Sequence, residues 1–230
     1  MAEGVTSPIE QLYLQLSSNS MFGTIAFGGD SQAVRTDAEA KLLLELWYEN
    51  ARDLFGWDRK IYAVGGMTHA SYLGHQLYMQ LKASDSNIVC LMIGGNDIDS
   101  ATFNRKETIN ASITMFNELT SAMKIVYVCE IPGRFSCRTP GLTPSAYNKE
   151  RRAIRNKLQQ CFRGRYIGLP SYCFNRDNFD SQYNQSKGMW EYVHLKKPFY
   201  SRIACSILEY IRDDLLKRES IPATKKIDLF

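Results

Sequence analysis

Apolar runs of strand length alternate with longer segments of helical period along most of the chain, and few folds accommodate such a pattern. The strand-like runs are Thr24 to Phe27, Lys60 to Val64, Asn87 to Ile93, Lys124 to Cys129 and a weaker Tyr166 to Leu169. Between them lie segments of helical pattern, Ala38 to Phe55, Ser71 to Leu81, Lys106 to Met123 and Ala146 to Phe162. After His194 the helical pattern is plainest: Leu195, Phe199, Ile203, Ile207, Ile211 and Leu215 recur at every fourth position, with Pro198 in a first-turn place that tolerates it. Parallel neighbouring strands need a crossover connection, so the alternation predicts an α/β domain on a mainly parallel, doubly wound sheet.

The 230 residues, 44% hydrophobic, suffice for one such domain and its core. Its expected extent is 19–219, with loose ends at 1–18 and 220–230. The net charge of +4 is mild, and 23% charged residues is ordinary for a soluble protein. Six cysteines without a C-x-x-C pair read as buried free thiols. The N-terminal stretch lacks the basic start and apolar core of a signal peptide, and no run approaches the roughly 18 apolar residues of a membrane span, so a cytoplasmic protein without a transmembrane segment is expected. There is no Gly-x-Gly-x-x-Gly for a dinucleotide and no His/Cys cluster of metal-ligand spacing, so neither metal nor cofactor is expected, and the lack of Gly-x-Ser-x-Gly argues against an α/β-hydrolase.

The ends of the strands carry the chemistry. Gly29-Asp30-Ser31 follows the first run and opens a helix, where the Ser31 hydroxyl would be exposed and its N–H would point toward developing negative charge. A serine needs a base to take its proton, and the chain has three histidines. His69 follows the second run and is a rival, but it has no acid near it in sequence. His194 has Glu191 three positions before it, placed to accept from Nδ1 and hold the useful tautomer. Asn96, in Gly94-Gly95-Asn96-Asp97 after the third run, offers a side-chain NH2 for an oxyanion. The Gly65-Gly66 pair offers an unobstructed backbone N–H. Asp97 is expected to brace the Asn96 segment, and Asp30 to support the serine turn. The long Pro132 to Pro144 loop is expected at the rim of the site.

Four blocks in this order resemble the SGNH (GDSL-type) hydrolases: Gly29-Asp30-Ser31, Gly66-Met67-Thr68, Gly94-Gly95-Asn96-Asp97 and Glu191-Tyr192-Val193-His194. The resemblance spans roughly Gly23 to Leu216. It implies a flavodoxin-like, three-layer α/β/α fold with a five-stranded sheet of order 2-1-3-4-5, and a metal-independent esterase or lipase reaction on a small ester or lipid. In it Ser31 is nucleophile, His194 base, Glu191 the orienting acid, and Ser31, Gly66 and Asn96 the oxyanion donors. Ile88 to Asp97, Val126 to Arg134 and Val193-His194-Leu195 look most like the esterase domains of some retrotransposon first-open-reading-frame proteins. The chain departs from the family in having Glu191 where Asp is usual and Gln32 where leucine is usual.

A second reading competes. Lys149, Arg151, Arg152, Arg155, Lys157, Arg163 and Arg165 stand against one acid, Glu150, so the segment Lys149–Arg165 would suit an anionic partner, either nucleic acid or lipid head groups. On that reading the chain is an accessory binding module on a catalytically weak SGNH fold. The bland alternative for the same segment is a solvated helix face.

Overall fold

The computed structural model describes residues 24–50, 58–184 and 189–219. The segments expected to be loose ends, 1–18 and 220–230, lie outside the described residues. Five parallel strands form one sheet, β1 (Thr24–Gly29), β2 (Asp58–Ala63), β3 (Ile88–Met92), β4 (Ile125–Cys129) and β5 (Tyr166–Ile167), in the spatial order β2-β1-β3-β4-β5. The central strands are buried on both faces, which explains why they read as unbroken apolar runs.

Because successive strand residues point to opposite faces, each run feeds two cores. Ile25, Phe27, Ile88, Cys90, Ile125 and Tyr127 pack on one side with α1 (Ser31–Asn50) and the C-terminal helix α7 (Lys197–Glu219). Ala26, Val89, Leu91, Val126 and Val128 pack on the other, against α2 (His69–Leu73), α3 (Gln76–Ala83), α5 (Arg105–Ser121) and α6 (Pro144–Phe162). The four-residue stripe of α7 is realised: Ile203, Ile207 and Ile211 are fully buried. Each such isoleucine contributes about 2–5 kcal/mol relative to alanine.

Caps place the helix boundaries. Asn104 accepts from Lys106 and Glu107 N–H to start α5, and Thr143 accepts from Ala146 N–H to start α6, with Pro144 at its first position. The single helix expected over Ser71 to Leu81 is two helices, because the chain turns at Gly74 and His75 caps α3 by accepting from Leu77 N–H at 3.2 Å. Two further elements carried no sequence signal: the short helix α4 (Gly95–Ile98), where a loop was expected, and a hairpin of β6 (Gln182–Asn184) and β7 (Met189–Glu191). All six cysteines are free, but only Cys90, Cys129 and Cys173 are buried and Cys161 is exposed. Among the described residues no helix is long and apolar enough to cross a membrane.

The basic segment on α6 is less of a surface patch than its charge count implies. Arg151 is buried against Glu130 at 2.5 Å, with its guanidinium over the Phe174 ring, and Arg155 comes within 3.7 Å of the same carboxylate. Arg165 lies 3.8 Å from Asp214, while Glu150 is held by Arg105 from α5. Lys149, Arg152, Lys157 and Arg163 stay exposed. Arg151→Ala leaves the Glu130 carboxylate buried without its close partner, so unfolding free energy in urea is expected to fall by about 3–5 kcal/mol. A loss near zero would mean that Arg155 alone compensates the charge.

Candidate active site

The cleft forms where the carboxyl ends of β1 and β3 meet, the point from which the sheet is wound in both directions. Gly29 ends β1 with φ +134°, and a Cβ there would lie 2.1 Å from the Met92 carbonyl oxygen. Only glycine permits that approach, and it lets Asp30 N–H donate to Met92 O at 3.1 Å. Asp30 then caps α1, its Oδ1 accepting from Gln32 N–H at 2.9 Å, and Ser31 becomes the first residue of the helix. Gln32, the departure from the usual leucine, is buried; its side-chain oxygen accepts from the Tyr200 hydroxyl of α7.

Ser31 Oγ lies 2.9 Å from His194 Nε2. The two are 163 positions apart in sequence and meet because the 191–195 segment returns over the carboxyl edge of the sheet before α7 begins. Glu191 closes β7, three residues before His194; its side chain is outside what the structure describes. A cavity of about 210 Å³ opens on this pair, lined by Ser31, Gly65, Gly66, Asn96, Arg134, Arg138, Asp180, Val193 and His194. Gly66 adopts φ +88° with nothing within 4 Å of where a Cβ would stand, and the Cβ position of Gly65 is 3.7 Å from Ser31 Cβ, so this glycine pair lines the cavity beside Ser31.

Asn96 is 5% exposed and firmly oriented. Its Oδ1 accepts from Arg134 Nη2 at 2.9 Å and from Arg138 Nη2 at 2.6 Å, which leaves no choice about which end of the amide carries hydrogens. Its Nδ2 donates to Met67 O at 2.9 Å and reaches Asp30 Oδ2 only at 3.5 Å, so one N–H is weakly held. Behind it, Arg134 and Asp99 form a buried ion pair at 2.7 Å. Burial alone would push the Asp99 carboxyl up, but N–H donors from Arg138 and Thr139 and the charges of Arg134 and Arg138 hold it below the usual carboxylate range. The Pro132 to Pro144 loop therefore supplies two arginines to the cavity wall, a composition its turn residues did not announce.

His69 and Asp97 take no part in that cavity. Asp97, expected to brace the Asn96 segment, accepts from both the backbone N–H and the imidazole Nδ1 of His69, at 3.0 Å each. His69 thus has an acid in space that it lacks in sequence. With Ser112 Oγ 2.7 Å from its Nε2, the trio repeats a serine–histidine–aspartate chain. Ser112, however, is 3% exposed, donates to Thr108 O at 3.2 Å, and does not line the neighbouring cavity of about 230 Å³. The trio is a strut joining α2, α4 and α5. Among the described residues, no group of three or more His, Cys, Asp or Glu side chains is placed to hold a metal ion.

No protein-family model and no curated protein matches the chain. Solved structures do. A lipase/acylhydrolase from Enterococcus faecalis superposes with a TM-score of 0.61 at 17% identity, covering 84% of this chain and 96% of its own. A GDSL-like lipase from Bacteroides thetaiotaomicron gives 0.55 at 11% identity over 90% of this chain and 100% of its own. An acetyl xylan esterase gives 0.58 at 16% identity over 82% and 99%. The fold is that of the GDSL-type acylhydrolases. In the GDSL-type frame Arg134, Arg138 and Asp180 are the wall residues that sequence reasoning missed. They belong to loops whose approach to the cleft depends on tertiary packing.

Burial pushes the Asp30 carboxyl from the ordinary 3.8 up to about 6, against the pull of the Gln32 N–H and the Arg134 charge. The folded state then holds this proton more tightly than the unfolded chain, so the stability due to Asp30 falls as pH rises through that interval, by on the order of 3 kcal/mol. Urea denaturation of Asp30→Asn between pH 4 and 6 is expected to lack that fall. A wild-type slope in the variant would assign the titration to another group.

Proposed function

We propose that the chain is a metal-independent serine esterase acting on small carboxylic esters through an acyl-enzyme. The observation that carries the reading is the 2.9 Å contact of Ser31 Oγ with His194 Nε2 inside a cavity that also holds Gly66 and Asn96. Ser31 Oγ attacks the ester carbonyl carbon while His194 Nε2 takes its proton. The negative charge gathers on the carbonyl oxygen, where the Ser31 N–H at the helix start, the Gly66 N–H and the weakly held Asn96 N–H are the donors. The tetrahedral intermediate collapses, the C–O bond to the alcohol breaks, and His194 returns the proton to the leaving oxygen. A water molecule then gives its proton to His194 and attacks the acyl carbon, releasing the acid and restoring Ser31.

Glu191 is the orienting acid in this reading, three positions before His194 as in the GDSL-type pattern, with glutamate's extra methylene. Arg134 is a positioning residue: by holding Asn96 Oδ1 it keeps the NH2 end toward the Met67 and Asp30 side. Cavity size and polarity support a short acyl group. At about 210 Å³ it falls below the roughly 300 Å³ of pockets for drug-sized ligands, and among the described residues that line it Val193 is the one wholly apolar side chain. Phe135, an aromatic of the Pro132 to Pro144 loop, packs edge-on to Phe179 at 5.1 Å and does not line the cavity. The narrower likeness to retrotransposon esterase domains rests on the sequence blocks.

Ser31→Ala is expected to lower hydrolysis of p-nitrophenyl acetate by at least about a thousandfold with the melting temperature unchanged. Full activity in that variant would remove Ser31 as nucleophile. Across p-nitrophenyl esters from acetate to palmitate, kcat/KM is expected to fall steeply beyond butyrate. A maximum at long chains would place an acyl site outside this cavity.

A further inference from the structure

Asp180 has no place in the GDSL-type triad pattern and sits 14 positions before His194 in sequence. In the fold the two are neighbours. Phe179 pairs with Leu195 in an antiparallel bridge, flanked by Asp180 N–H donating to His194 O at 2.8 Å and Lys196 N–H donating to Asn178 O at 2.9 Å. That register puts Asp180 directly opposite His194. Phe179 and Leu195 point into the core, so the next pair points the other way, and both Asp180 and His194 line the cavity. In such pairs the Cα atoms are about 5.5 Å apart.

We infer that Asp180 is a positioning residue for His194: its carboxylate, across the ladder, stabilises the imidazolium that forms when His194 takes the Ser31 proton. The inference rests on the reading of His194 as base. The need for such a charge is visible in the surroundings. Arg134 and Arg138 share the cavity wall and oppose a positive imidazole; Arg134 is paired with Asp99, whereas Arg138 is half-exposed and shares that one carboxylate at 3.6 Å. Arg35, one turn after Ser31, stands over the Tyr200 ring at 5.9 Å, and Lys196 Nζ donates to Asp177 O at 2.7 Å. On the acidic side are Asp30 under Ser31, Glu191 on the strand leading to His194, and Asp180. Among the described carboxylates, Asp180 is the one that shares the open cavity with the imidazole from a separate segment. Its backbone anchors the ladder, so replacing its side chain leaves the bond to His194 O in place.

The test follows the His194 imidazole by proton NMR titration in wild type, Asp180→Asn and Asp180→Glu, with His194→Gln assigning the signal. In Asp180→Asn the His194 midpoint is expected to fall by about 0.5–1 pH unit, with Asp180→Glu close to wild type. The acidic limb of kcat/KM for p-nitrophenyl acetate should move with it, and kcat should drop about three- to tenfold. A His194 titration unmoved in Asp180→Asn overturns the inference. So does an unmoved titration accompanied by a raised KM for the cationic ester acetylcholine, which would assign Asp180 to substrate instead. If the wild type hydrolyses no ester, the imidazole titration still decides the role of Asp180, so failure of the esterase reading and failure of this inference are separable.

Discussion

The hydrogen bond from Asp30 N–H to Met92 O, 3.1 Å, joins the carboxyl end of β1 to that of β3, and the site is assembled around it. It forms because Gly29 takes a backbone conformation closed to other residues and because its missing side chain leaves room for the Met92 carbonyl. Once the two strand ends are that close, Ser31 at the start of α1 and Asn96 in α4 face one cavity. Any side chain at position 29 would push the two elements apart, and Ser31 and Asn96 would cease to share one cavity.

Behind this junction lies a charged core that the sheet does not require. Arg134, Asp99, Asn96, Arg138 and Asp30 are linked by hydrogen bonds and electrostatic contacts, and the ion pair of Arg134 with Asp99 is almost wholly out of water. Burying charge is costly unless each group is paired and hydrogen-bonded, and here the arginine fork spans a carboxylate and an amide oxygen. The cost is offset by specificity of orientation: an amide held by two guanidinium groups cannot flip. The same cluster leaves Asp30 as a buried carboxyl with a raised proton affinity directly beneath Ser31.

A separate strut, His69 with Asp97 and Ser112, ties the segment after the glycine pair to α4 and α5. It resembles a catalytic chain in residue types and distances but lacks an exposed hydroxyl. Residue type and distance therefore do not separate the two serine–histidine contacts; access to a cavity does. Ser31 opens on a cavity with its histidine, whereas Ser112 spends a hydrogen bond on its own helix.

The sequence by itself determined the layer architecture, because strands buried on both faces must be continuously apolar and the helices between them must repeat every three to four residues. It also determined which strand ends carry Ser31, Gly66 and Asn96, since glycine and asparagine at those turns answer local demands on φ and hydrogen bonding. The helix break at Gly74 was not legible because it rests on a local cap by His75, an unusual capping residue, and the hairpin before His194 was not legible because it rests on pairing between two three-residue strands. Only the tertiary structure decided that Arg134 and Arg138 line the cleft, that Arg151 of the basic α6 segment is internal, that Asp97 belongs to His69, and that Asp180 stands opposite His194. Each of these joins residues 14 or more positions apart through packing or cross-strand register, and a charged side chain read in isolation carries no sign of which carboxylate, ring or cavity it will meet.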